Sequence, residues 1–333
     1  MRKLIGTNLK TIEIMKGART LVVDCANVHA GENILVVTDT NMPPTIYETL
    51  AAVAREQGAN VTIAIMSPRG RHGQEPPEMV AASMKKADVI FTPVSRSITH
   101  TSAAKNALKA GARAVMMSEF TEGMMVSGGI KANFLEVKPI IEKVAQHLKA
   151  ASVARVTSPK GTNLTMNIKD RGVRALTGVV HDKGSFAPVP TLEACTSPLE
   201  GTTQGVIVCD ASVSGLPGVG IVKEPIVVTV KDGLMTEIKG GEEARILRDT
   251  LESTHDPNVY NIAELGIGLN PECVMVGMHL EDEGVFGTIH IGIGSNITWG
   301  GKVKAATHMD LIMWRPRLEL DGKVILEDHE LRI

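Results

Sequence analysis

Asn-Ile-Leu-Val-Val-Thr-Asp, residues 33–39, is a β-branched apolar run that ends in turn-forming residues. Residues 44–57 follow it with apolar side chains at helical spacing, and residues 60–66 form a second strand-like run. A strand, a helix and a strand in this order predict a βαβ unit of a parallel sheet. Because the strands are apolar without alternation, we expect them to be buried on both faces.

The same alternation continues to about residue 150. Residues 88–92 and 112–117 are predicted strands, and residues 101–110 and 134–151 are predicted helices. We therefore predict a Rossmann-like α/β domain over residues 1–150. The sequence has no Gly-x-Gly-x-x-Gly that opens a helix after one of these strands and no P-loop motif, so we expect no bound dinucleotide.

The pattern changes after residue 150. Residues 152–240 are rich in Thr, Val and Gly and contain several turn signals, which predict antiparallel hairpins. A helix is predicted over residues 242–251. Further strands are predicted over residues 285–294, 307–314, 318–320 and 323–326. The predicted fold class is α/β, in which the Rossmann-like domain is followed by an α+β, largely antiparallel metal-binding domain over residues 151–333.

The composition excludes several classes of function. The chain has 333 residues and a formal net charge of −2, so it lacks the basic excess that nucleic acid attracts. Five Phe, two Tyr and two Trp are too few for a base-stacking surface. No apolar run reaches the roughly 18 residues of a membrane helix, and the N-terminus lacks the apolar core of a signal peptide. Four scattered cysteines contain no Cys-x-x-Cys motif. We expect a soluble, cytoplasmic protein with reduced cysteines.

Two glutamates lie in apolar surroundings. Glu264 stands in the Gly-rich stretch 261–271, and Glu193 stands in the stretch 190–198. Burying a carboxylate is costly unless it is paired or bound to a metal ion. The alternative for Glu264 is an exposed position at the end of a strand.

Two histidines and an aspartate follow within fifty residues. His290 lies in the middle of a β-like apolar run, where it is either a metal ligand or a hydrogen-bonded core histidine. His308 and Asp310 are two residues apart in a predicted strand, so their side chains share a face. An imidazole and a carboxylate on one face form half of a metal site or a hydrogen-bonded pair. Lys302 places a cation in the nearby turn 300–302.

These elements together resemble a known family. The order of the motifs is similar to that of the aminopeptidase T / aminopeptidase S metallopeptidases, whose superfamily also includes 2,5-dihydroxypyridine 5,6-dioxygenase. The resemblance covers most of the second predicted domain and, more weakly, the first. It is carried by Leu192-Glu193, Thr196, Pro198, Glu200-Gly201-Thr202, Ala263-Glu264-Leu265-Gly266, His290, Gly300-Gly301-Lys302 and His308-Met309-Asp310.

The peptidase resemblance implies a metal centre and a reaction. Its implied ligands are Glu193, Glu264, His290, His308 and Asp310. Such a mixed oxygen and nitrogen set suits two divalent cations, Zn, Co or Mn. On this basis we predict an aminopeptidase-like, metal-dependent hydrolase of an amide or peptide bond. Metal-activated water would be the nucleophile, and Glu264 would be the catalytic base or a bridging ligand. The peptidase tyrosine expected seven residues after His290 is replaced by Ile297.

The dioxygenase resemblance implies a different chemistry. Its pattern has a histidine at the position of Glu264, which together with His308 and Asp310 would hold Fe(II) for ring cleavage. It lacks counterparts of Glu193 and His290. The segment 95–101 resembles the dioxygenase loop that brings a catalytic histidine, here His100, to a neighbouring subunit. The alternative for His100 is the start of a helix capped by Thr99 or Thr101.

Other implied features concern the substrate and the assembly. The segment 157–164 resembles a shared family segment whose Lys160 and Thr162 would bind an anionic substrate group, and we also assign Lys302 to substrate binding. A polar hairpin is the alternative for that segment. We expect a small-molecule or peptide substrate, neither nucleic acid nor a membrane as partner, and a homo-oligomer, dimeric or larger. A third class, a metal-stabilised structural protein, remains open.

Overall fold

The computed structural model describes residues 7–333. Its helices are α1 Thr7–Arg19, α2 Pro44–Glu56, α3 Glu78–Met84, α4 Ser102–Lys109, α5 Phe134–Ala150, α6 Glu242–Ser253 and α7 His279–Asp282. Its strands are β1 Asn33–Asp39, β2 Asn60–Met66, β3 Val89–Val94, β4 Arg113–Ser118, β5 Val153–Thr157, β6 Asn163–Asn167, β7 Val173–Leu176, β8 Phe186–Pro188, β9 Glu193–Thr196, β10 Gln204–Cys209, β11 Val213–Ser214, β12 Ile226–Lys231, β13 Leu234–Lys239, β14 Ile262–Gly268, β15 Ile289–Gly294, β16 His308–Met313, β17 Arg317–Leu320, β18 Lys323–Glu327 and β19 Glu330–Leu331.

The chain forms two compact units. The first runs to Lys138 and also includes Gly178–Pro190. The second comprises Pro139–Thr177 and Thr191–Ile333. The chain therefore returns once to the first unit, a path that a single boundary near residue 150 does not describe.

The first unit is built on a five-stranded sheet in the order β2-β1-β3-β4-β8, and every neighbouring pair in it is parallel. All residues of β3 and β4, and all but the first of β1, are buried, as their unbroken apolar sequence predicts. The predicted α/β class with a parallel first sheet is confirmed. One expectation is wrong: β8 lies within the segment predicted to form antiparallel hairpins, yet it pairs in parallel with β4.

The second unit contains two antiparallel sheets. One has eight strands in the order β13-β12-β10-β6-β5-β17-β18-β19. The other has six strands in the order β11-β16-β15-β14-β9-β7, and the inner strands β9, β14 and β15 are buried throughout. Four of the motif-bearing segments of the sequence are neighbours in this six-stranded sheet, on β9, β14, β15 and β16. The sheet therefore brings their polar side chains together.

Two expectations from composition can be compared with the described residues. Within residues 7–333, no helix combines the length and the apolar character needed to cross a membrane. The four cysteines are buried and free of disulfide bonds, as their spacing predicts.

An ion pair ties β4 to the chain that precedes β1. Arg113 donates from Nη1 to Glu32 Oε1 at 2.9 Å and from Nη2 to Glu32 Oε2 at 3.1 Å. The same Nη2 reaches the Ala26 carbonyl at 3.0 Å. Because the Arg113 side chain is only 9% exposed, its removal would leave Glu32 without its counter-charge in a poorly solvated place.

Arg113→Ala is expected to lower the free energy of unfolding by about 3 kcal/mol, since breaking a buried pair strands its partner. Arg19→Ala is the matched control, because the Arg19–Glu56 pair of the same unit is about half exposed. Exposed pairs contribute less than about 1 kcal/mol. Urea denaturation followed by circular dichroism measures both, and equal losses in the two variants would contradict the assignment.

Candidate metal centre

One face of the six-stranded sheet collects the candidate ligands. Glu264 on β14 pairs across with Gly292 on β15, which pairs with Asp310 on β16. Cross-strand partners project from the same face of a sheet. The carboxylates of Glu264 and Asp310 therefore flank Gly292, which has no side chain. His308 lies two residues before Asp310 and therefore shares that face, as the sequence predicts.

Glycines make the space into which these side chains converge. A Cβ on Gly292 would lie 2.6 Å from Glu264 Cβ and 3.0 Å from His308 Cε1. A Cβ on Gly266, on the same face, would overlap the imidazole of His290. Larger residues in this Gly-rich sequence would therefore fill the space above the sheet.

Three of the predicted ligands form a close triad. His308 Nε2 lies 3.1 Å from Glu264 Oε2 and 3.5 Å from Asp310 Oδ1. The other ring nitrogen, Nδ1, lies 2.8 Å from the carbonyl oxygen of Ser295. A hydrogen bond from Nδ1 to that carbonyl orients the imidazole and directs Nε2 towards the two carboxylates, an arrangement typical of metal-ligating histidines.

The other two predicted ligands form a pair beside the triad. His290 Nε2 lies 3.1 Å from Glu193 Oε2, and both side chains are almost fully buried. Glu193 also lies close to Cys195 and Glu264, with their potential ligand atoms within 4.8 Å of one another. All five predicted residues thus belong to one cluster, although only Glu264, His308 and Asp310 form the triad.

A third group was missed by the sequence analysis. His279 Nδ1 lies 3.1 Å from Glu283 Oε1, and Ser214 donates a hydrogen bond to the same oxygen at 2.8 Å. His279, Glu283 and Asp310 also bring potential ligand atoms within 4.8 Å of one another. The spacing of four residues between His279 and Glu283 was the available signal, because such residues lie on one side of a helical turn.

The buried charges shift one another's ionisation. Burial raises the pKa of Glu264, and His308 only partly offsets this effect. Burial likewise raises the pKa of Glu283, and the charges of Asp310 and Glu193 add to the rise. Burial opposes protonation of His290, but the carboxylates of Glu193, Asp310 and Glu264 together raise its pKa to about 9. The cluster therefore attracts positive charge strongly.

Several of these buried atoms fit a cation. Glu193 Oε2 and Asp310 Oδ1 lie beside the Nε2 atoms of His290 and His308, at 3.1 and 3.5 Å. Among the residues that the structure describes, no hydrogen-bond partner is found for Glu264 Oε1 or His290 Nδ1. Unpaired buried polar atoms of this kind are costly. A divalent cation would satisfy the carboxylate oxygens, and oxygen and imidazole donors suit such an ion.

The three predicted substrate-binding residues lie in two settings within the second unit. Lys160 and Lys302 are exposed. Thr162 is buried, and its hydroxyl accepts a hydrogen bond from Val208 N at 2.9 Å and donates to Val208 O at 3.4 Å. Its hydroxyl thus contributes to the strand pairing of its own unit, as the polar-hairpin alternative requires.

His100 lies in the first unit. It is exposed in the turn that precedes α4, and Thr101 caps this helix by accepting a hydrogen bond from Ala104 N at 3.2 Å. The capping expected from the sequence is therefore present. The catalytic role of His100 stays a prediction.

The fold and the cluster together define a two-unit α/β protein with a site for a divalent metal. A family model described as NicX, 2,5-dihydroxypyridine 5,6-dioxygenase, matches residues 15–332. The chain belongs to this family.

One curated relative and two solved structures are similar to this chain. A 2,5-dihydroxypyridine 5,6-dioxygenase of Pseudomonas putida KT2440 is 28% identical over 188 residues, which are 54% of each chain, so the match spans about half the length of this curated relative. The structure of a 2,5-dihydroxypyridine dioxygenase from Pseudomonas putida KT2440 is similar over 98% of both chains, with a TM-score of 0.82 and 20% identity. AmpT from Thermus thermophilus covers 97% of this chain and 99% of its own, with a TM-score of 0.67 and 16% identity.

These comparisons correct the predicted function. The prediction of an aminopeptidase-like hydrolase is wrong, because the family model and the curated relative both indicate a dioxygenase. The likeness to AmpT concerns the fold alone. The resemblance to the superfamily is thus confirmed, whereas the implied peptidase chemistry is not.

Gly266→Ala is expected to weaken metal binding about tenfold or more, because the new methyl group displaces the His290 ring and disturbs the packed cluster. Gly172→Ala is the control, since a Cβ there meets no atom within 4 Å. Calorimetric titration with Mn²⁺ measures the effect. Unchanged affinity in Gly266→Ala would show that the space above Gly266 does not matter for the site.

Proposed function

We propose that this chain is a non-haem Fe(II) dioxygenase that cleaves a hydroxylated pyridine-type ring. Membership in the family and the curated relative of that activity support the reaction class. The observation that carries the proposal is the triad of Glu264, His308 and Asp310, because its buried, convergent donors fit one divalent ion.

The donor set differs from the dioxygenase pattern to which the sequence was compared. Glu264 stands where that pattern has a histidine, so the triad offers two carboxylates and one imidazole. Compared with a histidine, the carboxylate of Glu264 adds a negative charge beside the metal. The neighbouring pair of Glu193 and His290 gives the cluster a second imidazole. We propose that the triad holds the iron and that this pair flanks it.

Bound Fe(II) supplies the one-electron chemistry that O2 requires to react with a hydroxylated ring. Glu264 is placed to accept the proton of a substrate hydroxyl at Oε1, which has no hydrogen-bond partner among the described residues. His308 keeps its orientation through the Ser295 carbonyl. The near-complete burial of Glu264 and Asp310 excludes water and strengthens these interactions.

The purified protein is expected to bind about one iron per chain and to consume O2 with 2,5-dihydroxypyridine. His308→Ala should lose at least about tenfold in bound iron and in oxygen uptake, because it removes the triad's imidazole, while the first unit stays folded. Elemental analysis and an oxygen electrode measure both quantities. His147→Ala, a half-exposed histidine of α5, is the control. Full iron occupancy in His308→Ala would contradict the assignment.

His100 and the assembly form a separate part of the proposal. We propose a homo-oligomer in which His100 contributes to the site of a neighbouring subunit. His100→Ala should then lower turnover about tenfold or more without lowering bound iron, because it removes a proton donor or a substrate contact. Oxygen uptake, iron analysis and light scattering test this. A monomer with normal kinetics in His100→Ala would refute the role and leave the metal centre untouched.

A further inference from the structure

His308 is the most exposed member of the triad. The side chain of His308 is 27% exposed, whereas those of Glu264 and Asp310 are only 2% and 3% exposed. A small molecule can therefore reach these donors past the imidazole of His308.

A tryptophan lies at this approach. Trp299 ends a short 3-10 turn, Ile297–Trp299, between β15 and β16, and its ring centroid lies 6.1 Å from that of His308. The ring is partly exposed. The chain has only two tryptophans in 333 residues, and one of them is partly exposed next to the candidate metal centre. Such an indole offers a large planar surface for contact with a ligand.

A cation accompanies the indole. The guanidinium carbon of Arg174 lies 5.3 Å from the centroid of Trp299, and Arg174 Nη2 donates to the Thr298 carbonyl at 2.6 Å. Arg174 pairs with Cys195, which pairs with Gly266 on β14. Because Gly266 lies two residues after Glu264, Arg174 projects from the face that carries the triad. It brings a positive charge to the edge of an acidic cluster.

The turn that carries Trp299 is held in place. Glu200 Oε1 accepts hydrogen bonds from Asn296 Nδ2 at 2.9 Å and from Lys302 N at 2.8 Å. Glu200 also pairs with Arg171, which donates to the Gly300 carbonyl at 3.2 Å. Although burial opposes ionisation, these hydrogen bonds and Arg171 lower the pKa of Glu200 to about 2. The turn that positions the indole is thus preorganised before a ligand binds.

We propose that Trp299 is a stacking platform that, with Arg174, selects a planar and negatively charged aromatic ring. Arg174 lies over one face of the indole, and we assign the other face to the ligand. The positive charge draws electron density from the indole, so the opposite face favours an electron-rich or anionic ring. This inference rests on the proposed function and adds the substrate class: planar anionic rings are preferred over neutral or saturated ones.

Two single-tryptophan variants provide the first test. Trp314→Phe keeps Trp299 as the only tryptophan, and Trp299→Phe keeps only Trp314. Iron-loaded protein is titrated under nitrogen with nicotinate, nicotinamide and cyclohexanecarboxylate, which vary charge and planarity separately. We expect saturable quenching of Trp299 fluorescence by nicotinate, about tenfold weaker binding of nicotinamide and no saturable effect of cyclohexanecarboxylate. Trp314 fluorescence should show no saturation.

The same titration tests the cation. Arg174→Met in the Trp314→Phe background should remove the preference for nicotinate over nicotinamide. Arg174→Lys should restore only part of it, because lysine keeps the charge but loses the planar contact. Non-saturable quenching by all three compounds would overturn the platform. An unchanged preference in Arg174→Met would overturn the role of the cation.

Kinetics separate this inference from the proposed reaction. With 2,5-dihydroxypyridine as substrate, Trp299→Ala should raise KM about tenfold while kcat changes less than about threefold, because stacking contributes to binding of the ring. An unchanged KM would overturn the platform while leaving the dioxygenase in place. Saturable quenching by nicotinate without oxygen uptake in any variant would support the platform and refute the reaction.

Discussion

The electrostatic repulsion among buried carboxylates is the constraint on which the site depends. Glu193, Glu264, Glu283 and Asp310 lie in one cluster, each 8% exposed or less. Such a concentration of negative charge is tolerated only with positive charge among it. In the protein alone this charge comes from the imidazoles, whose protons a metal ion would have to displace on binding.

Buried strands of one antiparallel sheet, rather than loops, position Glu193, Glu264 and Asp310. Residues on three neighbouring strands project from the same face, and glycine at the intervening positions leaves the volume between them open. Hydrogen bonding along the ladders fixes the distance between strands to within a fraction of an ångström. The donors are therefore positioned before any ligand arrives, and binding costs little reorganisation.

Local patterns predicted the elements better than the assembly. The strand 33–39 and the shared face of His308 and Asp310 followed from residue spacing alone. The role of β8 did not, since three residues carry too little periodicity to reveal a parallel partner far away. His279 and Glu283 were missed because only the tertiary fold brings them to Asp310.

The reaction could not be derived from the ligands. Carboxylates and imidazoles bind zinc, manganese and iron alike, so the five residues fit a hydrolase and an oxygenase equally. The absence of the peptidase tyrosine, with Ile297 in its place, was the one local signal against hydrolysis. Fold similarity extends to a dioxygenase and to AmpT alike, and the fold by itself does not determine the chemistry.

The return of Gly178–Pro190 to the first unit has a consequence for synthesis and for inheritance. The edge strand β8 emerges from the ribosome only after β5, β6 and β7 of the second unit. The first sheet therefore lacks one strand while part of the second unit has already been synthesised. Neither unit corresponds to one continuous stretch of gene. Recombination with a single crossover therefore cannot exchange either unit intact.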